Sequence, residues 1–470
     1  MIKPDAFILD SLSHMQPKLY WLDSDAQELA PLPMLTSEIT AELCIVGAGF
    51  TGLWMALIAK EENPEREVVI LEQKETGAGA SGRNGGFCSS SLTHGFSNGY
   101  SRFRNEMATI ENFARENLTA IESTIRKYGI ACNFERTGEL RVATELWQLL
   151  KLQEEADLRN SLGDHVEVLT KEELALRIKS PLYEGALWDP EGNAMIDPAR
   201  LVWGLEEACL SLGVKIYEHS KVEKLEDAGN SIIVHTPDGR VLAAKVALAT
   251  NVFPSLIRSA RKYVVPVYDF QLMTQPLSSE QRESIGWYGR EGVSEAGNKF
   301  HYYRLSEAGE ILWGGYDAIY HFGGKVRPEY ENDSEAYRRL AADFFKTFPQ
   351  LAGIKFTYGW GGAIDTCSRF SSFWGKAFAG RVVYVLGFTG LGVAATRFGA
   401  QVALDLLAGK DNERTRLSMV RKKPFPFPPE PLRFIFIRLT QWSIDRADLQ
   451  QGRRNLWLKL LDTLGLGFDS

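Results

Sequence analysis

AELCIVGAGFTGLWMALIAKEE, residues 41–62, reads as strand, tight turn and helix. Leu43, Ile45 and Val46 form an apolar strand, and Leu53 to Ala59 give a small apolar helix face. Between them Gly47-Ala48-Gly49-Phe50-Thr51-Gly52 spells G-x-G-x-x-G. The first glycine permits the turn, the second lets backbone approach a pyrophosphate, and the third lets helix pack on strand. The helix start then offers unpaired N–H groups and a positive dipole end to phosphates. EVVILE (67–72) is a second apolar run, suited to a parallel strand covered on both faces. Its terminal Glu72 lies twenty residues past Gly52, where a carboxylate accepts from ribose hydroxyls and repels a 2′-phosphate. The expected fold class is α/β, with a Rossmann-like dinucleotide-binding domain.

Directly behind that strand stands GAGASGRNGGFC (77–88), too rich in glycine to pack a core. The bare backbone around Gly79 and Ala80 lets N–H groups and the Ser81 hydroxyl come close to a pyrophosphate, and Asn84, Gly85 and Gly86 can then run beside a flat ring system. A third element, Gly387-Phe388-Thr389-Gly390-Leu391-Gly392 with Val393, again joins a strand to a helix within RVVYVLGFTGLGVAATRFGAQVALDLLAGK (381–410). Gly409 is placed as its C-cap. That helix start can face the electron-rich edge of a reduced flavin. A nicotinamide enzyme needs only the first loop; three such elements suit FAD.

These motifs, with the ATN of KVALATN (245–251), resemble the FAD-dependent amine and amino-acid oxidoreductases of the D-amino-acid oxidase and glycine oxidase type, over about residues 40–410. HYYRLSEAGEILWGGYD (301–317) and YGWGGAIDT (358–366) are similar to γ-glutamylputrescine oxidases and aminophosphonate oxidoreductases. The resemblance implies Glu72, Gln73 and Lys74 at the adenosine, Ser81, Arg83, Asn84, Gly85 and Gly86 along the path from pyrophosphate to flavin, Val222 at the adenine, and Thr250 and Asn251 beside the pyrophosphate. It places Thr389 to Val393 over the pyrimidine edge of the flavin. Where relatives often carry histidine and some carry lysine, this chain has Leu391 and Ala394, which leaves the flavin N1 edge to backbone N–H groups and the helix dipole. Cys367 lies in the region of a covalent flavin link of some sarcosine-oxidase relatives, but its surroundings do not match, so non-covalent FAD is expected.

The reaction so implied is oxidation of an amine by hydride transfer to flavin N5, giving an imine that hydrolyses to a carbonyl, with O2 or another electron acceptor regenerating the cofactor. The substrate is a primary amine, amino acid, aminophosphonate or γ-glutamylated polyamine. A secondary-amine oxidase of sarcosine type and a non-catalytic or sensor flavoprotein are the alternatives. Strand alternation places Tyr302 and Arg304 on one face and Tyr303 on the other. Arg304 could take a substrate carboxylate or phosphonate bidentately; the competing reading is an arginine satisfied at a domain seam. Trp360 as a pocket wall and Asp365 as an amine holder compete with core packing and turn capping. His94, His301 and His321 show no metal-ligand spacing and are read as structural.

The chain has 470 residues and a net charge of −7, which disfavours nucleic-acid binding. Five scattered cysteines without C-x-x-C fit neither a disulfide framework nor a zinc site. The opening residues lack the long apolar segment of a signal peptide, no apolar run is long enough to span a membrane, and a cytoplasmic location is expected. The expected organisation is a lead-in (1–38), a discontinuous FAD-binding domain (39–110, 190–262 and 356–410), a substrate domain (111–189 and 263–355) of antiparallel sheet plus helices, and a tail (411–470). FERTGELRVATE (134–145) reads as a hairpin. In the tail, RKKPFPFPPEP (421–431) is an extended linker before two amphipathic helices, 432–449 and 453–468. Residues 411–470 carry 11 Lys+Arg against 7 Asp+Glu, net +4, leaving −11 on residues 1–410. That contrast points to docking on the acidic body or on a second copy, with a membrane-surface helix anchored by Trp442 and Trp457 as the alternative.

Overall fold

The computed structural model describes residues 4–23 and 30–467; those parts of the lead-in and tail readings that fall on 1–3, 24–29 and 468–470 lie outside the described residues. Two eight-stranded sheets organise the chain. In the first, Val382–Leu386, Arg240–Leu248, Glu38–Val46, Val68–Leu71 and Lys215–Tyr217 lie parallel in that order. Glu38–Val46 is central and pairs Val46 with both Leu248 and Leu71, so the polar ends of three strands come together. Helices Phe50–Glu62 and Gly392–Ala408 pack against each other on one face of this sheet, which explains why both are apolar nearly all round. Gly409 (φ +70°) ends the second in the left-handed conformation expected of it.

The second sheet runs Phe356–Thr366, Val265–Thr274, Ile311–Gly315, His301–Leu305, Gly292–Glu295, Glu139–Ala143, Gly185–Asp189 and Glu167–Thr170. All neighbours are antiparallel except the parallel pair Gly292–Glu295 with Glu139–Ala143. Tyr268, Phe270, Leu272, Tyr303 and Trp313 fill the core on one side of it, beneath helix Ser334–Thr347. The opposite face looks toward the first sheet.

Two sequence readings change. Residues 134–145 make no hairpin: only Glu139–Ala143 is a strand, and it pairs with distant segments because both its edges are taken by longer-range partners. Phe356–Thr366, grouped by sequence with the cofactor-binding segment, pairs along Val265–Thr274 in the second sheet, since its length and alternation match that strand. The described part of the lead-in packs on the second sheet. Phe7 packs on Phe345 at 4.7 Å, and the backbone of Gln16 bonds to Thr357 and Gly359 at the sheet edge.

The tail folds back over the opening between the sheets. Helix Leu432–Leu449 and helix Leu456–Thr463 follow the extended linker. Before the linker, Arg414 pairs with Asp405 at 2.7 Å; beyond it, docking uses the tail's carboxylates. Asp448 accepts from the Asn298 and Lys299 amides at 3.2 and 3.1 Å, Asp445 meets Lys299 Nζ at 2.6 Å, and Glu430 accepts from Tyr320 at 2.5 Å. The outward face leaves Leu432, Ile435 and Trp442 exposed. No described helix is long and apolar enough to cross a membrane.

Candidate active site

At the first loop the sequence dictates the geometry through sterics. Gly47 sits at φ +110°, and a Cβ on Gly52 would lie 1.9 Å from the Gly47 carbonyl oxygen. Helix and turn can only meet this closely without a side chain. The Glu72 carboxylate accepts from Ala48 N at 2.8 Å and from Lys74 N at 3.0 Å, tying the loop to the second strand. Burial pushes its carboxyl above the usual range while those amides pull the other way. Ser81 Oγ accepts from the Phe50 amide at the helix start, 2.9 Å away, so the first two glycine elements are joined.

The second loop is held from three sides. Asn84 Nδ2 donates to Ser81 O at 2.8 Å, and its Oδ1 accepts from Gly86 N at 2.9 Å. Trp21 Nε1 donates to Asn84 O, and Trp360 Nε1 to Arg83 O, each at 2.9 Å; Gln271 Nε2 also donates to Arg83 O. Arg83 itself reaches Glu331 at 2.5 Å, pairing the loop with the turn Pro328–Glu331. Bare backbone with no core of its own thus gains fixed partners.

In the third element the Asp365 carboxylate accepts from Gly387 N at 2.6 Å, Phe388 N at 3.2 Å and Thr389 N at 3.4 Å. Asp365 is 2% exposed; burial pushes its carboxyl up to about 6 against these amides. Thr389 is left-handed at φ +52°, as are His94, Asn251, Tyr316 and Phe370, all lining the same cavity. Such conformations cost about 1–3 kcal/mol each and gather at functional sites. Cys367 is buried, with Sγ donating to Ser371 O.

The cavity has a volume of ≈1440 Å³. Each candidate cofactor residue named from sequence lines it except Gly52, Gly86 and Gly387, which form the bends behind. The second sheet supplies a wall by strict alternation: Val265, Val267, Asp269 and Gln271 face the cavity while Tyr268, Phe270 and Leu272 enter the core. Sequence reading missed Asp269 and Gln271, although two polar residues at i and i+2 of an apolar strand are a legible signal. Tyr302 faces the cavity beside Gly85, and its hydroxyl donates to Asp269 Oδ2 at 2.7 Å. Burial lifts Asp269 to about 6, moderated by the Tyr302 and Phe270 hydrogen bonds. Arg304 and Trp360 do not line the cavity. Arg304 stands behind Gly86, donating to Ile196 O at 2.5 Å, and Trp360 braces Arg83. Residues Phe436, Thr440 and Ile444 of the tail close the cavity from above; nothing in their local sequence announces that role.

No group of three or more His, Cys, Asp or Glu suited to a metal occurs among the described residues. Burial holds His94 down at about 4, hence neutral. For His301 burial opposes protonation, but Glu295 at 2.8 Å and Asp343 at 3.5 Å outweigh it and raise the imidazole to about 9. Its stabilising contribution, about 3 kcal/mol, is therefore full below pH 6.5 and lost as pH rises through 9. Melting temperatures of wild type and His301→Gln should converge as pH is raised across that window.

The profile described as DAO, FAD dependent oxidoreductase, matches residues 42–406, so the chain belongs to that family of flavoenzymes. It is 29% identical over 408 residues to gamma-glutamylputrescine oxidoreductase of Escherichia coli, covering 86% of this chain and 92% of the relative. It is 28% identical over 423 residues to the protein named Probable oxidoreductase OrdL of Haemophilus influenzae, covering 86% and 91%. Glycine oxidase from Geobacillus kaustophilus shares the fold at TM-score 0.68 and 18% identity, over 82% of this chain and 99% of that one. The residues present fit FAD. Side chains are excluded where backbone must approach, the Thr250 hydroxyl is buried on the cavity wall with no hydrogen-bond partner among the described residues, and Glu72 stands at the strand end.

Proposed function

We propose that the chain is an amine oxidase or dehydrogenase in which FAD lies along the three glycine elements and an amine is oxidised beside Tyr302. The supporting observation is the Tyr302–Asp269 pair at the cavity wall, packed on Gly85. The similarity to gamma-glutamylputrescine oxidoreductase supports an amine as substrate. The adenosine end falls to Glu72, Gln73, Lys74 and Val222, the pyrophosphate to Gly47, Gly49, Phe50, Thr51, Ser81, Thr250 and Asn251, and the ring to Asn84, Gly85 and the helix start at Gly390 to Val393. Bound FAD supplies the acceptor for the hydride leaving the carbon next to nitrogen.

The residues of the chain then have separable tasks. Donation of its proton to Asp269 makes the Tyr302 oxygen a stronger acceptor, suited to the N–H of a neutral substrate amine. The tail and Tyr302 exclude water and align the reacting C–H. Asp365 and Trp360 act as positioning residues, through the third and second loops. Arg304 holds the Gly86 turn against Ile196, so a substrate carboxylate is not its partner.

Anaerobic mixing with primary amines should bleach the visible flavin absorbance, and failure with every amine would exclude this reading. Tyr302→Phe should lower kcat/KM about 10- to 100-fold. Because Asp269 is ionised only above about 6, the wild-type rate should fall as pH drops through that value. Asp269→Asn should remove this part of the profile while leaving the fall due to the substrate amine.

A further inference from the structure

We propose that the cavity contains a second subsite, for a positively charged nitrogen, centred on Glu111 and Glu139. The substrate is then an amine bearing a further ammonium group remote from the carbon that is oxidised. The inference rests on the amine reading above.

Strand register fixes the distance. Gln271, Gly314, Tyr302, Ser294 and Arg141 are successive partners across the second sheet. Arg141 is two strands from Tyr302, or about 10 Å at the usual spacing. The cavity continues that far, since Ser294, Glu139, Arg141 and Glu111 all line it. The oxidised carbon and a distal group can therefore occupy one continuous space.

The charges at that end do not cancel. Arg141 is matched by Glu155 at 2.5 Å, and Arg159 by Asp164 at 2.8 Å and Asp189 at 2.5 Å. With both arginines taken, two carboxylates remain. Glu139 accepts from Ser294 Oγ at 2.7 Å. Glu111, on helix Met107–Tyr128, is only 7% exposed, and no hydrogen bond or ion pair to it is found among the described residues. A carboxylate buried in this way costs several kcal/mol unless a partner arrives. Burial accordingly raises its carboxyl to about 7, with Arg159 and Arg115 pulling it down and Asp164 and Asp189 pushing it up. An ammonium supplies the missing partner, whereas an anionic or neutral group leaves Glu111 uncompensated.

The test uses full-length, FAD-loaded protein and three probes of equal chain length: octane-1,8-diamine, octylamine and 8-aminooctanoate. Binding is followed by calorimetry and turnover by steady-state kinetics. The diamine should bind about tenfold more tightly than the monoamine, and the aminocarboxylate more weakly than either. Glu111→Gln should bring the diamine-to-monoamine affinity ratio close to one, through KM rather than kcat. Glu139→Gln, with FAD content and melting temperature measured alongside, carries the same comparison if the first variant misfolds. Equal affinity for diamine and monoamine in the wild type, a ratio unmoved by both variants, or preference for the aminocarboxylate would each overturn the subsite. If no amine bleaches the flavin yet diamine binding still depends on Glu111, the oxidation reading fails and the cation subsite stands.

Discussion

Gly52→Ala protein should purify without the visible absorbance of flavin. The added Cβ would lie 1.9 Å from the carbonyl oxygen of Gly47, 3.1 Å from its carbon and 3.3 Å from Ile45 Cγ2. Two of these are backbone atoms, so no side-chain rotation can relieve the clash. Helix Phe50–Glu62 must retreat from the strand, carrying the Thr51 amide away from the position proposed above for the phosphates and pulling the Phe50 amide from Ser81 Oγ. Overpacking of this kind costs about 1–3 kcal/mol, and losing about 3 kcal/mol of cofactor contact lowers affinity roughly 100-fold. The flavin-to-protein absorbance ratio and FAD titration of the apoprotein check this. A fully loaded Gly52→Ala enzyme would refute the close approach of helix and turn as a requirement for FAD.

Asp365→Ala should unsettle the third loop and destabilise the protein by about 3–5 kcal/mol. Three buried amides, on Gly387, Phe388 and Thr389, share that one carboxylate. Without it they have no acceptor, and the left-handed Thr389 loses what holds it there. Asp365→Asn retains one oxygen and should recover part of the loss. Thermal melting gives the energy, and the shape of the flavin spectrum reports the loop. A spectrum unchanged in Asp365→Ala would show that the loop keeps its place without the carboxylate, and Asp365 would then have no positioning role.

The two substitutions differ in how far the sequence announces them. Gly52 could be recognised because the conflict it avoids lies within a few residues, at Gly47 and Ile45. Asp365 could be nominated from its neighbourhood, but its partners lie more than twenty positions on. Tyr302 and Arg304 share a face, as alternation requires; only the packing of that face decides that the tyrosine meets the cavity and the arginine lies behind Gly86. The tail helix Leu432–Leu449 is readable from its own residues, whereas its roofing of the cavity depends on Asp445 and Asp448 finding Lys299 and the amides beside it.

By itself the sequence determined the parallel apolar strands, the three glycine bends and the class of cofactor. Each is a local steric demand, met or broken within a short stretch of chain. Only the tertiary structure decided which polar side chains share a space. Trp21 bracing Asn84, the Tyr302–Asp269 pair and the unmatched Glu111 arise from strand register and helix docking between segments remote in sequence. Register and docking answer to the summed burial of whole faces, which no single stretch of residues contains.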